Sequence, residues 1–105
     1  MVNRNDIARF VAELADKFRP QKVVLFGSVA KGTASKDSDV DLLVVMPHQG
    51  SAAHQAARIR NTVSAPFALD LIVRSPRIIQ HRLKLGDSFL SEILHQGEVL
   101  YESSR

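Results

Sequence analysis

A chain of 105 residues, 45% of them hydrophobic, can bury one modest core, and two domains are not expected. It has no cysteine, which excludes a disulfide framework, a thiolate zinc site and a cysteine nucleophile, so any metal must bind oxygen or imidazole. The net charge of +3 suits an anionic ligand without identifying one. The opening MVNRNDIARF lacks the apolar run of a signal peptide, and no stretch approaches the roughly 18 apolar residues of a membrane span; the expectation is a single cytoplasmic domain over residues 1–105 with no membrane partner.

In chain order, Ile7, Phe10, Val11, Leu14 and Phe18 recur at helical spacing, with Asn5 as the expected cap and Pro20 closing the segment. Lys22 to Phe26 carries the apolar run VVLF and stops at Gly27, as a buried strand does. Gly27 to Ser38 is rich in Gly, Ser, Thr and Lys, the chemistry of a turn, within which VAKG can form one helical turn. Val40 to Met46 is a second apolar run, ended by Pro47. Ala52, Ala56, Ile59 and Val63 predict a helix over 51–64 with Arg58 and Arg60 outward. Phe67 to Val73 predicts a third strand. Ser75 and Pro76 open a helix through about Leu85, as N-cap and first-turn proline. Asp87 caps a last helix carrying Phe89, Leu90, Ile93 and Leu94 and ending at Gly97, and Val99 to Tyr101 adds a short edge strand. The order α-β-β-α-β-α-α, without repeat or linker, predicts an α/β fold in which a small mixed sheet is flanked by helices.

Three aspartates interrupt this apolar pattern. Asp39 and Asp41 stand at i and i+2 at the mouth of the second strand and therefore project to one face. Two carboxylates that close resist ionisation unless a cation offsets them, which a hard divalent ion bound by oxygen does directly. Asp70 interrupts PFALDLIVR, where an uncompensated buried charge is costly. If the third strand lies beside the second, Asp70 converges with Asp39 and Asp41 on a site for one or two metal ions, a standard device for in-line phosphoryl or nucleotidyl transfer. The plainer alternative makes Asp39 an ordinary strand-entry residue and pairs Asp41 with a lysine or arginine and Asp70 with Arg74, but it gives the three no common purpose. Just upstream, Gly27 permits close backbone approach and the Ser28 hydroxyl can face an anion. His48, His54, His81 and His95 are scattered without ligand spacing.

Gly27-Ser28, then Gly32, then Asp39-Val40-Asp41 and finally Asp70 resemble the motif set of the DNA polymerase beta-like nucleotidyltransferase superfamily. The short length and the ending GDSFLSEILHQGEVLYE resemble more narrowly the minimal nucleotidyltransferases, the MntA-like antitoxins paired with HEPN-domain toxins. The resemblance implies the polymerase beta-like fold, with Gly27 and Ser28 holding the terminal phosphates of ATP. Lys31 stands where many members carry arginine, keeping the charge without the bidentate fork. It also implies Mg2+ or Mn2+ on Asp39, Asp41 and Asp70, and transfer of AMP to a tyrosine of a HEPN toxin, a type VII-like antitoxin activity. The alternatives are a non-catalytic antitoxin of the same fold, the nucleotidyltransferase subunit of an antibiotic-modifying enzyme, or a nucleic-acid binder; a single tyrosine and no tryptophan disfavour the last.

Overall fold

The structure, a computed structural model, describes residues 2–104. Helix α1 (Arg4–Phe18) starts from Asn3, whose side chain accepts from the Asn5 N–H, so the cap lies two residues before the expected Asn5. Strand β1 (Lys22–Phe26) runs straight into a short helix α2 (Gly27–Lys31), closed by Gly32. Then come β2 (Val40–Val45), α3 (Ala52–Thr62), β3 (Leu69–Arg74), α4 (Pro76–Lys84), α5 (Ser88–Gln96) and β4 (Glu98–Glu102). Ser51, Ser75 and Asp87 each cap the helix that follows, accepting from His54, Ile78 and Leu90 N–H groups. Met46 and Phe67 fall outside their expected strands, whereas β4 is longer than expected.

The sheet order is β3-β2-β1-β4. β1 pairs antiparallel with β2 and β4, while β2 and β3 pair in parallel, with α3 as the crossover that parallel strands require. This is the small mixed α/β sheet with flanking helices that the sequence predicts. β2 is covered on both faces, which explains its unbroken apolar run. One face, with Val23, Leu25, Leu42, Val44, Leu71 and Val73, packs on α1 and α3 through Ile7, Phe10, Leu14, Ile59 and Val63. The other, with Val24, Leu43 and Val45, packs on Ile79 of α4 and on Leu90 and Ile93 of α5. Among the described residues no helix is long and apolar enough to cross a membrane.

Strands have a period of two, so Asp41 shares a face with Leu43 and Val45, on the side of α4 and α5. α5 reaches that face only because Gly97, at its C-terminal end, has no side chain. A Cβ there would meet the Ile93 carbonyl oxygen and the Val24 side chain and stand 3.0 Å from the Leu25 carbonyl oxygen. Gly97→Ala is therefore expected to lower stability by about 1–3 kcal/mol, the usual cost of overpacking. A urea unfolding midpoint equal to that of the parent would refute this close packing of α5 on β1.

Candidate active site

Parallel pairing sets Asp41 directly opposite Asp70 in the β2–β3 register. On its other side Asp41 faces Phe26 of β1, the residue before Gly27. Gly27 has a φ of +75°, a conformation that a side chain strains, and a Cβ there would run into the Asp41 carboxylate, its Cγ only 3.0 Å away. The first residue of α2 is thus packed against the acidic pair, and the absence of a side chain is what allows it.

Burial raises the Asp41 pKa first, followed by the charge of Asp70, a hydrogen bond between the two side chains and the charge of Asp39; together they push it to about 6. No cation contributes. The ion pairs of the described residues involve Asp6, Glu13, Glu92, Asp87, Glu98 and Glu102, and leave out all three site aspartates. Arg74, the expected partner of Asp70, donates instead to the Val73 carbonyl oxygen. The ion-pair alternative therefore fails. One expectation needs correcting: Asp70 is exposed, as is Asp39, because β3 is an edge strand and Asp39 precedes β2. Burial bears on Asp41 alone.

Among the described residues no three Asp, Glu, His or Cys side chains form a group that could hold a metal ion. What converges is the pair Asp41 and Asp70, with Asp39 acting on it at longer range. That donor set still fits Mg2+ or Mn2+, which bind hard oxygens and commonly take one or two carboxylates, with substrate phosphates completing the shell. A proton held between Asp41 and Asp70 meets the same electrostatic need in the ion's absence.

Ser28 lies in the first turn of α2, half-buried, and its backbone oxygen accepts from Gly32 and Thr33. Lys31, at the far end of α2, lies 3.7 Å from Glu92 of α5 in an exposed pair, so it is placed on the α5 side of the loop rather than on the aspartates. Sequence reasoning missed Phe89. Expected with the apolar stripe of α5, it is half-exposed and meets Phe26 edge to face with ring centroids 5.9 Å apart. Helical phase alone does not place it, since Phe89 stands one turn before Ile93, at the margin of the stripe that Leu90, Ile93 and Leu94 form. Val99, in the expected edge strand, is exposed as well.

The model of the nucleotidyltransferase domain family matches residues 7–99. A candidate protein adenylyltransferase of Methanocaldococcus jannaschii is 30% identical over 97 residues, covering 90% of this chain and 94% of that protein. The crystal structure of a candidate nucleotidyltransferase from Sulfolobus solfataricus superposes with a TM-score of 0.58 at 22% identity, over 73% of this chain and 70% of that one. A toxin-antitoxin crystal structure with AMP-PNP gives a TM-score of 0.52 at 20% identity, over 98% of this chain and 76% of that one. A mutant of the toxin-antitoxin MntA-HpeT, with two aspartates changed to glutamate, gives 0.52 at 18% identity over the same shares.

The raised pKa of Asp41 makes a signed prediction. A carboxyl whose folded-state pKa exceeds its ordinary 3.8 stabilises the fold below that value, and the contribution is lost as pH rises through about 6. In metal-free buffer Asp41→Asn, which cannot ionise, should be more stable than the parent at about pH 8 by about 1 kcal/mol, after allowance for solvent screening of a half-exposed site. Near pH 4 the two should converge. Urea titrations across this range check it, and a difference that is flat with pH would show that Asp41 is not under like-charge strain.

Proposed function

We propose that this chain, which belongs to the nucleotidyltransferase domain family, transfers AMP from ATP to a protein hydroxyl, a tyrosine of a HEPN-domain toxin, and so acts as that toxin's antitoxin. The observation that carries the reading is the Asp41–Asp70 pair, without an ion pair to any cation of the described residues and with Asp41 packed against Gly27. AMP as the group transferred and a protein as the acceptor are supported by the M. jannaschii relative, a candidate protein adenylyltransferase matched over 94% of its length. A toxin as the acceptor is suggested by the two toxin-antitoxin structures of similar fold.

In this reading the backbone around Gly27 and the Ser28 hydroxyl take the terminal phosphates. Lys31, in an exposed pair of little net worth, is free to turn from Glu92 to a phosphate oxygen. Asp41 and Asp70 would hold Mg2+ or Mn2+, and Asp39, farther off, would join them on the ion. The ion, when bound, neutralises the triphosphate and makes the acceptor hydroxyl more acidic. The acceptor oxygen then bonds to the α-phosphorus in line with the departing pyrophosphate oxygen, whose bond to phosphorus breaks. Deprotonation of the hydroxyl takes place beside Asp70. Its place on an edge strand suits it to this role, because a tyrosine on another folded protein can approach only a site left open.

Asp70→Asn keeps the shape of the side chain and removes its charge. Incubated with ATP, magnesium and a HEPN-domain toxin encoded beside its gene, the parent should add AMP to the toxin, read as a gain in intact mass and a loss of toxin activity. The variant should still bind the toxin but transfer AMP about 100-fold or more slowly, the usual effect of losing charge stabilisation at a reacting centre. Should the variant neutralise the toxin as well as the parent, with no mass gain from either, the protein acts by contact and the transferase reading is wrong.

A further inference from the structure

Beside the phosphate loop lies a cleft of about 200 Å3 whose lining includes Phe26, Gly27, Lys31, Phe89, Glu92 and Gln96. It is smaller than the roughly 300–1,000 Å3 of pockets for drug-sized ligands, so it suits one ring system rather than a whole nucleotide. Its aromatic wall is open. The edge-to-face contact with Phe26 covers at most one face of the Phe89 ring, and 51% of Phe89 is exposed. Two of its lining residues, Gly27 and Lys31, belong to the loop read above as the phosphate grip, and Phe26 faces Asp41 in the sheet. A nucleotide with its phosphates at Gly27 therefore has an apolar, aromatic slot within reach of its other end. The Gln96 side-chain amide is one of the few polar groups there, and it offers the paired donor and acceptor that matches an adenine edge.

We propose that this cleft between α2 and α5 is the base subsite, in which the adenine of ATP stacks on Phe89 with its edge toward Gln96. The proposal rests on the reading that Gly27 and Ser28 hold the phosphates, and it assigns to α5 a role beyond closing the core. Stacking on one aromatic ring contributes enough for its loss to weaken binding about tenfold.

The chain has no tryptophan, so Phe89→Trp introduces a single fluorophore at the site. Magnesium-ATP should quench its emission, whereas magnesium-tripolyphosphate, which has the phosphates and no base, should bind without quenching. Calorimetry on Phe89→Ala, a half-exposed position where truncation leaves the core intact, should give an ATP Kd raised about tenfold and a tripolyphosphate Kd unchanged. If ATP binds Phe89→Trp without altering its emission, and Phe89→Ala binds ATP like the parent, the base lies elsewhere and the proposal is overturned. If neither ATP nor tripolyphosphate binds the parent, it is the phosphate reading that has failed, and the base subsite falls with it.

Discussion

Two like charges held in register on adjacent parallel strands are the constraint around which this protein is arranged. Asp41 and Asp70 face each other across β2 and β3, and among the described residues no lysine or arginine pairs with either. Such a pair lowers stability, so the sheet that carries it must be stabilised elsewhere. Nearly every other residue of β2 is buried, and so are the inward side chains of α1 and α3. The larger of the two core clusters lies on the opposite face of the sheet from the aspartates, where it supports the strands without filling the space above the carboxylates.

The smaller cluster on the carboxylate side has a different task. α4 and α5 cover Leu43 and Val45 but stop short of Asp41, and the junction is occupied by Phe26 and Phe89, partly open to solvent. Gly27 and Gly97 are the two points where backbone replaces side chain. At Gly27 the chain passes over the Asp41 carboxylate, and at Gly97 the end of α5 settles on β1. Substituting either would move a wall of the site, although only Gly27 touches an aspartate.

Much of this is legible in the sequence because its signals are local. Helix caps at Ser51, Ser75 and Asp87 follow from hydroxyl or carboxylate side chains three residues before the N–H they accept. The face shared by Asp39 and Asp41 follows from the two-residue period of a strand. At the first helix Asn3 and Asn5 are both capping residues, and only the geometry of the chain decides for Asn3. The burial of Asp70 was misjudged because an apolar run reads alike in a central strand and at an edge; strand order is set by contacts far apart in sequence. The same non-local pairing is what makes Asp70 oppose Asp41, a relation that the sequence allows and does not fix. Phe89 reads with the apolar residues of the last helix, and its position one turn before Ile93, at the margin of their stripe, does not decide its exposure.

The exposure of Asp70 also changes how the site must work. Were all three carboxylates buried, they would form a ready cage that binds a divalent ion by itself. With Asp41 half-buried, Asp39 and Asp70 exposed and no closed set of three ligands, the protein alone offers an ion an incomplete shell. A bare triphosphate fares no better, since the carboxylates repel it at short range despite the net charge of +3. On the proposed reading each ligand would supply what the other lacks, the phosphates completing the ion's shell and the ion cancelling the repulsion between phosphate and carboxylate. Linkage then requires that each raise the affinity for the other by the same factor. On the proposed reading the strain between Asp41 and Asp70 is a means of selection, because the arrangement that destabilises the site when both carboxylates are ionised favours the metal–nucleotide complex over either component alone.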